Sequence, residues 1–372
     1  MSKTPPPPGR IISDGAVNHP ESEVHADSVD ESATSGAHPE PAPVSGWQRW
    51  ARWVGFGILV VVSIHGIREF VNGDAAAVKA YWSSHYRVLP MVLIFAMMDV
   101  AVEITAWMWV YQRFGIRAFD RTGAAVGLSG KAGLLLPAQL GRLIRPDEMV
   151  RLGRGVLGEC LKAEAVVFVL DSISVLALFA ALVAYRVHGG LSLVAGAAVI
   201  GVCLFLGNFI LRILSDTKLE LPRGFWWSWT TFAIVVLQST GWIAHGLAFF
   251  MLASDLPGQV GLWDSLFLAP GSAVLGLGSG VPGGIGATEA LLGASMGVRG
   301  VPQEHLAVGV AAFRIVTFWL LLPMGWLALA YVGRQARKQR AAENGGADDG
   351  GEPPDQSPDS AADSPGVGES TP

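Results

Sequence analysis

The sequence predicts an all-α integral membrane protein with about six transmembrane helices and two re-entrant helical hairpins arranged as an inverted repeat. Three observations predict it. The chain of 372 residues is 51% apolar and only 15% charged, which excludes a soluble enzyme. Its apolar residues fall into runs near the ~20 residues a helix needs to cross ~30 Å of hydrocarbon. Two further apolar stretches are too rich in glycine and proline to be plain spanning helices.

Charge divides the chain into three parts. Residues 1–46 hold two basic and seven acidic side chains among many Pro, Ser and Ala, and residues 341–372 hold eight acidic and no basic ones. Both read as disordered acidic tails, the first Pro-rich. Between them, 47–340 reads as one polytopic transmembrane domain with a net positive charge. Pro5 to Pro8 form a four-proline run that could serve as a polyproline II ligand, but a plain Pro-rich disordered tail is the favoured reading. Cys160 and Cys203 are too few for a disulfide framework. The first apolar run starts near Val54 after a long polar tail, with no cleavage-like site behind it, so it is expected to remain as an anchor.

Six segments qualify as spans: about 54–71, 88–111, 165–185, 191–214, 228–253 and 305–332. Trp47, Trp50 and Trp53 precede the first and Trp226, Trp227 and Trp229 precede the fifth, as interface anchors do. With the N-terminus inside, sixteen Lys and Arg, among them Arg113, Arg117, Arg142, Arg145, Arg154 and Arg337, fall on the cytoplasmic side. Four fall opposite: Lys79, Arg87, Arg186 and Arg299. The bias predicts a multi-pass protein of the cell (inner) membrane with both termini cytoplasmic. The count holds only if 124–141 dips in from the cytoplasm and 265–298 from outside, each leaving on the side it entered.

The two stretches share a pattern: Pro137-Ala138-Gln139-Leu140-Gly141 in one and Pro282-Gly283-Gly284-Ile285-Gly286 in the other. Each is preceded by a span and followed by another, and the spans enter from opposite sides. That is the inverted-repeat arrangement by which secondary transporters build a mid-bilayer site from broken helices. Chance similarity between Gly/Pro loops is the competing explanation.

At these residues the chain resembles a known family. The stretches LLLPAQLGRLIRPDEMVR (134–151), VVFVLDSISVLAL (166–178), GVPGGIGATEALLGA (280–294) and AFRIVTFWLLLPMG (312–325) are similar to the flippase-like transmembrane domain of lysylphosphatidylglycerol synthases, in its stand-alone form. The resemblance covers about 50–335. Its most specific part is P-G-G-I-G-x-x-E followed about 25 residues later by an Arg in an apolar helix, here Glu289 and Arg314. The chain carries Arg142 where the family usually has Glu, and Val167-Phe168 where it often has Glu-Arg, whereas Asp171 and Arg145 fit. The residues after Arg340 read only as an acidic tail, so an aminoacyltransferase domain is not expected. The resemblance therefore implies movement of a lipid or lipid-linked intermediate between leaflets rather than aminoacylation.

Ionisable residues at the centre of a span cost ~2.5–3.5 kcal/mol each on insertion scales, so Asp99, Glu103, Asp171, His245, Glu289 and Arg314 are expected to face a cavity or one another. Asp99 and Glu103 lie four apart on one helix face, so one of them is expected to hold a proton. With Asp171 and His245 they are the candidates for proton or ion coupling, against the alternative of hydrogen-bonded packing. Glu289 and Arg314 form either a substrate contact or a brace between the second hairpin and the last span. Arg142 and Arg145 are candidate receptors for a phospholipid or polyprenyl-phosphate headgroup, against plain anchoring at the cytoplasmic surface. Gly283, Gly284 and Gly286 would let backbone N–H groups approach an anion at a helix start.

No metal-ligand spacing, phosphate loop or nucleotide fingerprint occurs, so neither a cofactor nor a catalytic residue is expected, and nucleic acid is not a partner. The leading expectation is a translocase that moves an anionic lipid headgroup between leaflets. One rival is a non-transporting scaffold for a glycosyltransferase or lipid-modifying enzyme. The other is an intramembrane enzyme using Asp99, Glu103 or Asp171 on a lipid.

Overall fold

A computed structural model describes residues 83, 86–213, 221, 224–254, 256, 258 and 260–345. The predicted first span at 54–71 and its tryptophans lie outside these residues, as do the N-terminal tail and most of the C-terminal one. Among the described residues every element is helical, and five helices are long and apolar enough to cross a membrane. That is the pattern of a multi-pass membrane protein.

Helix α1, Leu89–Arg113, starts with Pro90 in its first turn, where a missing N–H costs nothing. A short helix α2, Arg121–Ser129, is capped by Asp120, whose carboxylate accepts the Gly123 N–H at 2.6 Å. The chain then breaks into two tight 3-10 turns, Gly130–Gly133 and Pro137–Leu143, before helix α3, Ile144–Arg151. Helix α4, Leu157–His188, begins eight residues before the predicted span. Glu159, Lys162 and Glu164 do not stop it, because the first two pair at 2.8 Å and the third is buried and hydrogen-bonded. It ends at Gly189, whose φ of +59° suits only glycine. Helix α5, Ser192–Ile213, is the least buried of the five, with Leu193 82% and Phe205 54% exposed, as befits a face meant for lipid. Helix α6, Trp229–Ala253, is capped by Ser228.

The second break mirrors the first. Helix α7, Leu262–Gly278, carries Pro270 inside it. It is followed by a 3-10 turn at Pro282–Gly284 and by helix α8, Ala287–Val298, which packs back against α7. In both breaks the residue before proline is extended: Leu136 at ψ 139° and Val281 at ψ 136°. Proline forces that geometry on its predecessor, so the two P-x-x-[LI]-G motifs begin alike; beyond the proline they differ, because Gly283, Gly284 and Gly286 take positive φ and Gly141 does not. Helix α9, Gln303–Arg314, runs through a wide π-turn, Ile315–Trp319, into α10, Leu321–Gly345. The predicted domain boundary at 340 therefore falls inside a helix that continues five residues further.

Packing interleaves the two halves. Helix α1 lies along α6, α4 packs on α5 and α6, and α7 packs on α6. Helix α2 and the turn after it pack on α10, and α7 touches α4, so each broken segment contacts the long helix that closes the other half. One core joins Trp107, Tyr111, Met149 and Leu170 with Ile234 and Val332, and a second joins Ala248, Phe249, Leu292 and Met296 with Phe313. Close backbone approaches seat the first broken segment. A Cβ on Gly133 would strike Gly141, and one on Gly325 of α10 would strike Ala132.

Candidate functional site

The two 3-10 turns that carry the motifs meet each other. Around them is a chamber of about 180 Å³. Helix α1 contributes Asp99 and Glu103 to its wall, and α4 contributes Asp171. Gln238, Trp242 and His245 come from α6, and Phe313 and Arg314 from α9. The breaks supply Lys131, Gly133, Arg142, Gly283 and Thr288, with Arg145 from α3. Residues far apart in sequence converge here because proline and glycine end each broken helix beside the ionisable side chains of the neighbouring helices.

Four sets of charges line or brace the chamber. Glu103 accepts from Lys131 and, at 2.5 Å, from Arg145 Nη2. Arg145 is 2% exposed and also donates to Gly127 O at 3.0 Å and to Glu164 Oε1 at 3.3 Å. The other Glu164 oxygen accepts from Trp107 Nε1 at 2.9 Å and Tyr111 OH at 3.1 Å. Arg142 Nη2 donates to Asp171 Oδ2 at 2.9 Å, and Trp242 Nε1 donates to Asp171 Oδ1 at 3.1 Å. His245 Nδ1 lies 3.3 Å from Asp99 Oδ2.

Arg314 Nε donates to Glu289 Oε1 at 2.5 Å, and its Nη2 donates to Gly283 O at 3.0 Å. Glu289 Oε2 accepts the Gly286 N–H at 2.7 Å, and the Arg314 guanidinium lies 4.2 Å from the centre of the Phe318 ring. This pair ties the second break to α9.

Asp99 and Glu103 share a face, but each has its own basic partner on another element, so the acid pair is split rather than coupled. Arg142 and Arg145 both line the chamber; Arg145 is enclosed by Glu103 and Glu164 and packed against Gly130. Gly283, Gly284 and Gly286 all have positive φ. Gly283 is needed for a second reason: a Cβ there would run into the Phe318 ring and come within 3.1 Å of Leu134 O. Its close approach is to the protein itself.

Four residues escaped the sequence reading. Lys131 is a single cation in an apolar stretch, a signal that was available. Glu164 sits just ahead of the predicted span and so looked interfacial. Gln238 is 3% exposed, lines the chamber, and neither of its amide atoms has a hydrogen-bond partner among the described residues. Trp242 looked like one more apolar residue of a span. Asp171, which its indole N–H approaches, was the available hint.

Lys131, Arg142, Arg145 and Arg314 face Asp99, Glu103, Asp171, Glu164 and Glu289, four cations against five carboxylates. The site is densely charged yet close to balanced. Among the described residues no group of three or more His, Cys, Asp or Glu is placed to hold a metal ion. Compared with protein-family models and with curated proteins, the chain matches none.

Proposed function

We propose that the chain is a lipid translocase of the flippase-like class, passing the polar headgroup of an anionic phospholipid or polyprenyl-phosphate-linked lipid between leaflets while the hydrocarbon chains stay in the bilayer. The observation that carries this reading is the meeting of two proline-bent, glycine-rich breaks around a charged chamber inside a bundle of apolar helices. Broken backbone at membrane depth is tolerated where it is buried in protein or lines a wet cavity. Two breaks that each open on an extended residue before proline, each packed on the closing helix of the other half, fit re-entrant segments entering from opposite faces as an inverted repeat.

Glu103, Asp171, Glu164 and Glu289 are each paired with a lysine or arginine, and Asp99 faces His245, so an entering anion would meet a charged but nearly balanced chamber. Gln238 adds an amide that can both donate and accept, aimed where a polyol or phosphate headgroup would pass. The His245–Asp99 contact is the pair best suited to couple passage to a proton. The same reading places the protein in the cell membrane with both termini in the cytoplasm.

The test is leaflet exchange in liposomes carrying purified protein, with fluorescent phosphatidylglycerol and a fluorescent polyprenyl phosphate as probes. Exchange well above that of empty liposomes for at least one probe is expected. Rates equal to those of empty liposomes for both would refute the proposal.

A further inference from the structure

Beside the chamber lies a second, larger cavity of about 710 Å³. It is formed by α4, by the end of the first break and by α7, and its lining is mostly apolar: Leu143, Leu161, Phe168, Leu176 and Val274 among others. Leu143, Phe168 and Leu176 are 48%, 47% and 52% exposed, so in a membrane this groove opens sideways to lipid. Its size falls in the range of about 300–1,000 Å³ typical of small-molecule sites.

The two cavities share Arg142, Asp171, Trp242 and Leu277. Those residues form the wall between them. Asp171 is held at both oxygens, by Arg142 from one side and by Trp242 from the other. Arg142 differs from the neighbouring arginines. Arg145 spends three donors on three partners and Arg314 two on two, whereas Asp171 is the one hydrogen-bond partner of Arg142 among the described residues. Its guanidinium has five donors, it lies 5.3 Å from the Phe168 ring centre, and it borders both cavities.

We infer that Asp171 is a built-in anion that occupies Arg142, and that a membrane phospholipid displaces it. The lipid enters from the side, lays a hydrocarbon chain in the groove, and brings a phosphate whose oxygens match the planar guanidinium fork in Asp171's place. Losing that partner, Asp171 keeps only the Trp242 bond, and the wall between groove and chamber opens. The inference rests on the translocase reading. It adds the lateral port, the latch and the chemical group that releases it. The occupant is fixed by continuity: an apolar groove that ends at an arginine suits one molecule that is hydrocarbon at one end and phosphate at the other.

The test uses full-length protein in liposomes containing phosphatidylglycerol with a diazirine on one acyl chain. Photoadducts are mapped by mass spectrometry, and leaflet exchange is measured on the same preparations. Adducts are expected to concentrate on Leu143, Phe168, Leu176 and Val274. D171N is expected to raise groove labelling severalfold by freeing Arg142, and R142Q to lower it severalfold. A latch gives these opposite signs, whereas a mere structural brace would give changes of one sign. Should D171N fold poorly, W242F removes one of the two bonds on Asp171 and is expected to raise labelling more modestly.

Adducts spread evenly over lipid-facing side chains such as Leu193 and Phe205, or D171N and R142Q moving labelling the same way, would overturn the inference. Exchange without groove adducts would overturn the port and leave the translocase standing. Groove adducts without exchange would leave the port and overturn the translocase.

Discussion

Replacing Arg145 by methionine keeps much of the side chain's length and removes its charge from the most enclosed ionic cluster in the bundle. Arg145 and Glu164 have side-chain exposures of 2% and 6%. Without the guanidinium, Glu103 still has Lys131, but Glu164 is left with the neutral donors Trp107 and Tyr111. Breaking a buried pair by removing one partner costs about 3–5 kcal/mol, a factor of more than a hundred in the folding equilibrium. E164Q leaves Arg145 paired with Glu103, so it should cost less, about 1.5–3 kcal/mol for hydrogen bonds to a charged group. Once Arg145 is gone there is no charge for Glu164 to answer, so R145M/E164Q should cost less than the two single losses together, with a coupling of about 1–3 kcal/mol. The assay is reversible unfolding in mixed detergent micelles, followed by tryptophan fluorescence. R145M within about 1 kcal/mol of the native chain would refute the claim that this arginine holds α1, α3 and α4 together.

Gly283→Ala should destabilise by more than the ~1–2 kcal/mol of a left-handed non-glycine residue, because its methyl would also meet the Phe318 ring. G280A, with a φ of +72° and nothing within 4 Å, isolates the backbone cost; equal melting temperatures for the two variants would contradict the packing argument. Asp120 is the acid whose titration should be visible. Burial pushes its carboxyl up, but the Arg154 bond, the Gly123 N–H and nearby Arg117 outweigh that and hold it below the usual aspartate value. A depressed acid stabilises the fold above its unfolded pKa and loses that contribution as pH falls through the folded one. Unfolding between about pH 5 and 3 should therefore steepen with acid in the native chain and less so in D120N; identical pH profiles would count against this cap.

The spans were legible because their signal is long: α4 and α6 each hold an eighteen-residue window that is strongly apolar. The ends were less so. Glu159, Lys162 and Glu164 look like a stop signal until it is known that a glutamate can be satisfied inside by a tryptophan, a tyrosine and an arginine from elsewhere in the chain. Among site residues, the Glu289–Arg314 pair was readable because each needed the other. The partners of Asp99 and Glu103 were not, since spacing along one helix put the two acids together while packing supplied His245 and Lys131 from other elements. Lys131, Gln238 and Trp242 sit within apolar stretches and became visible only when the fold turned them toward a common interior.

The π-turn at Ile315–Trp319 holds one residue more than an α-helix would. Each residue advances a helix by about 100°, so the extra one resets the bearing of everything downstream. Upstream, α9 is aligned to the second break through Arg314 and Glu289. Downstream, α10 must point Gly325 at Ala132 of the first break, where no side chain fits. Deleting one residue from the turn would tidy the hydrogen-bond ladder and swing Gly325 about a quarter-turn off its mark. That single surplus residue sets how the two halves of the protein dial into each other.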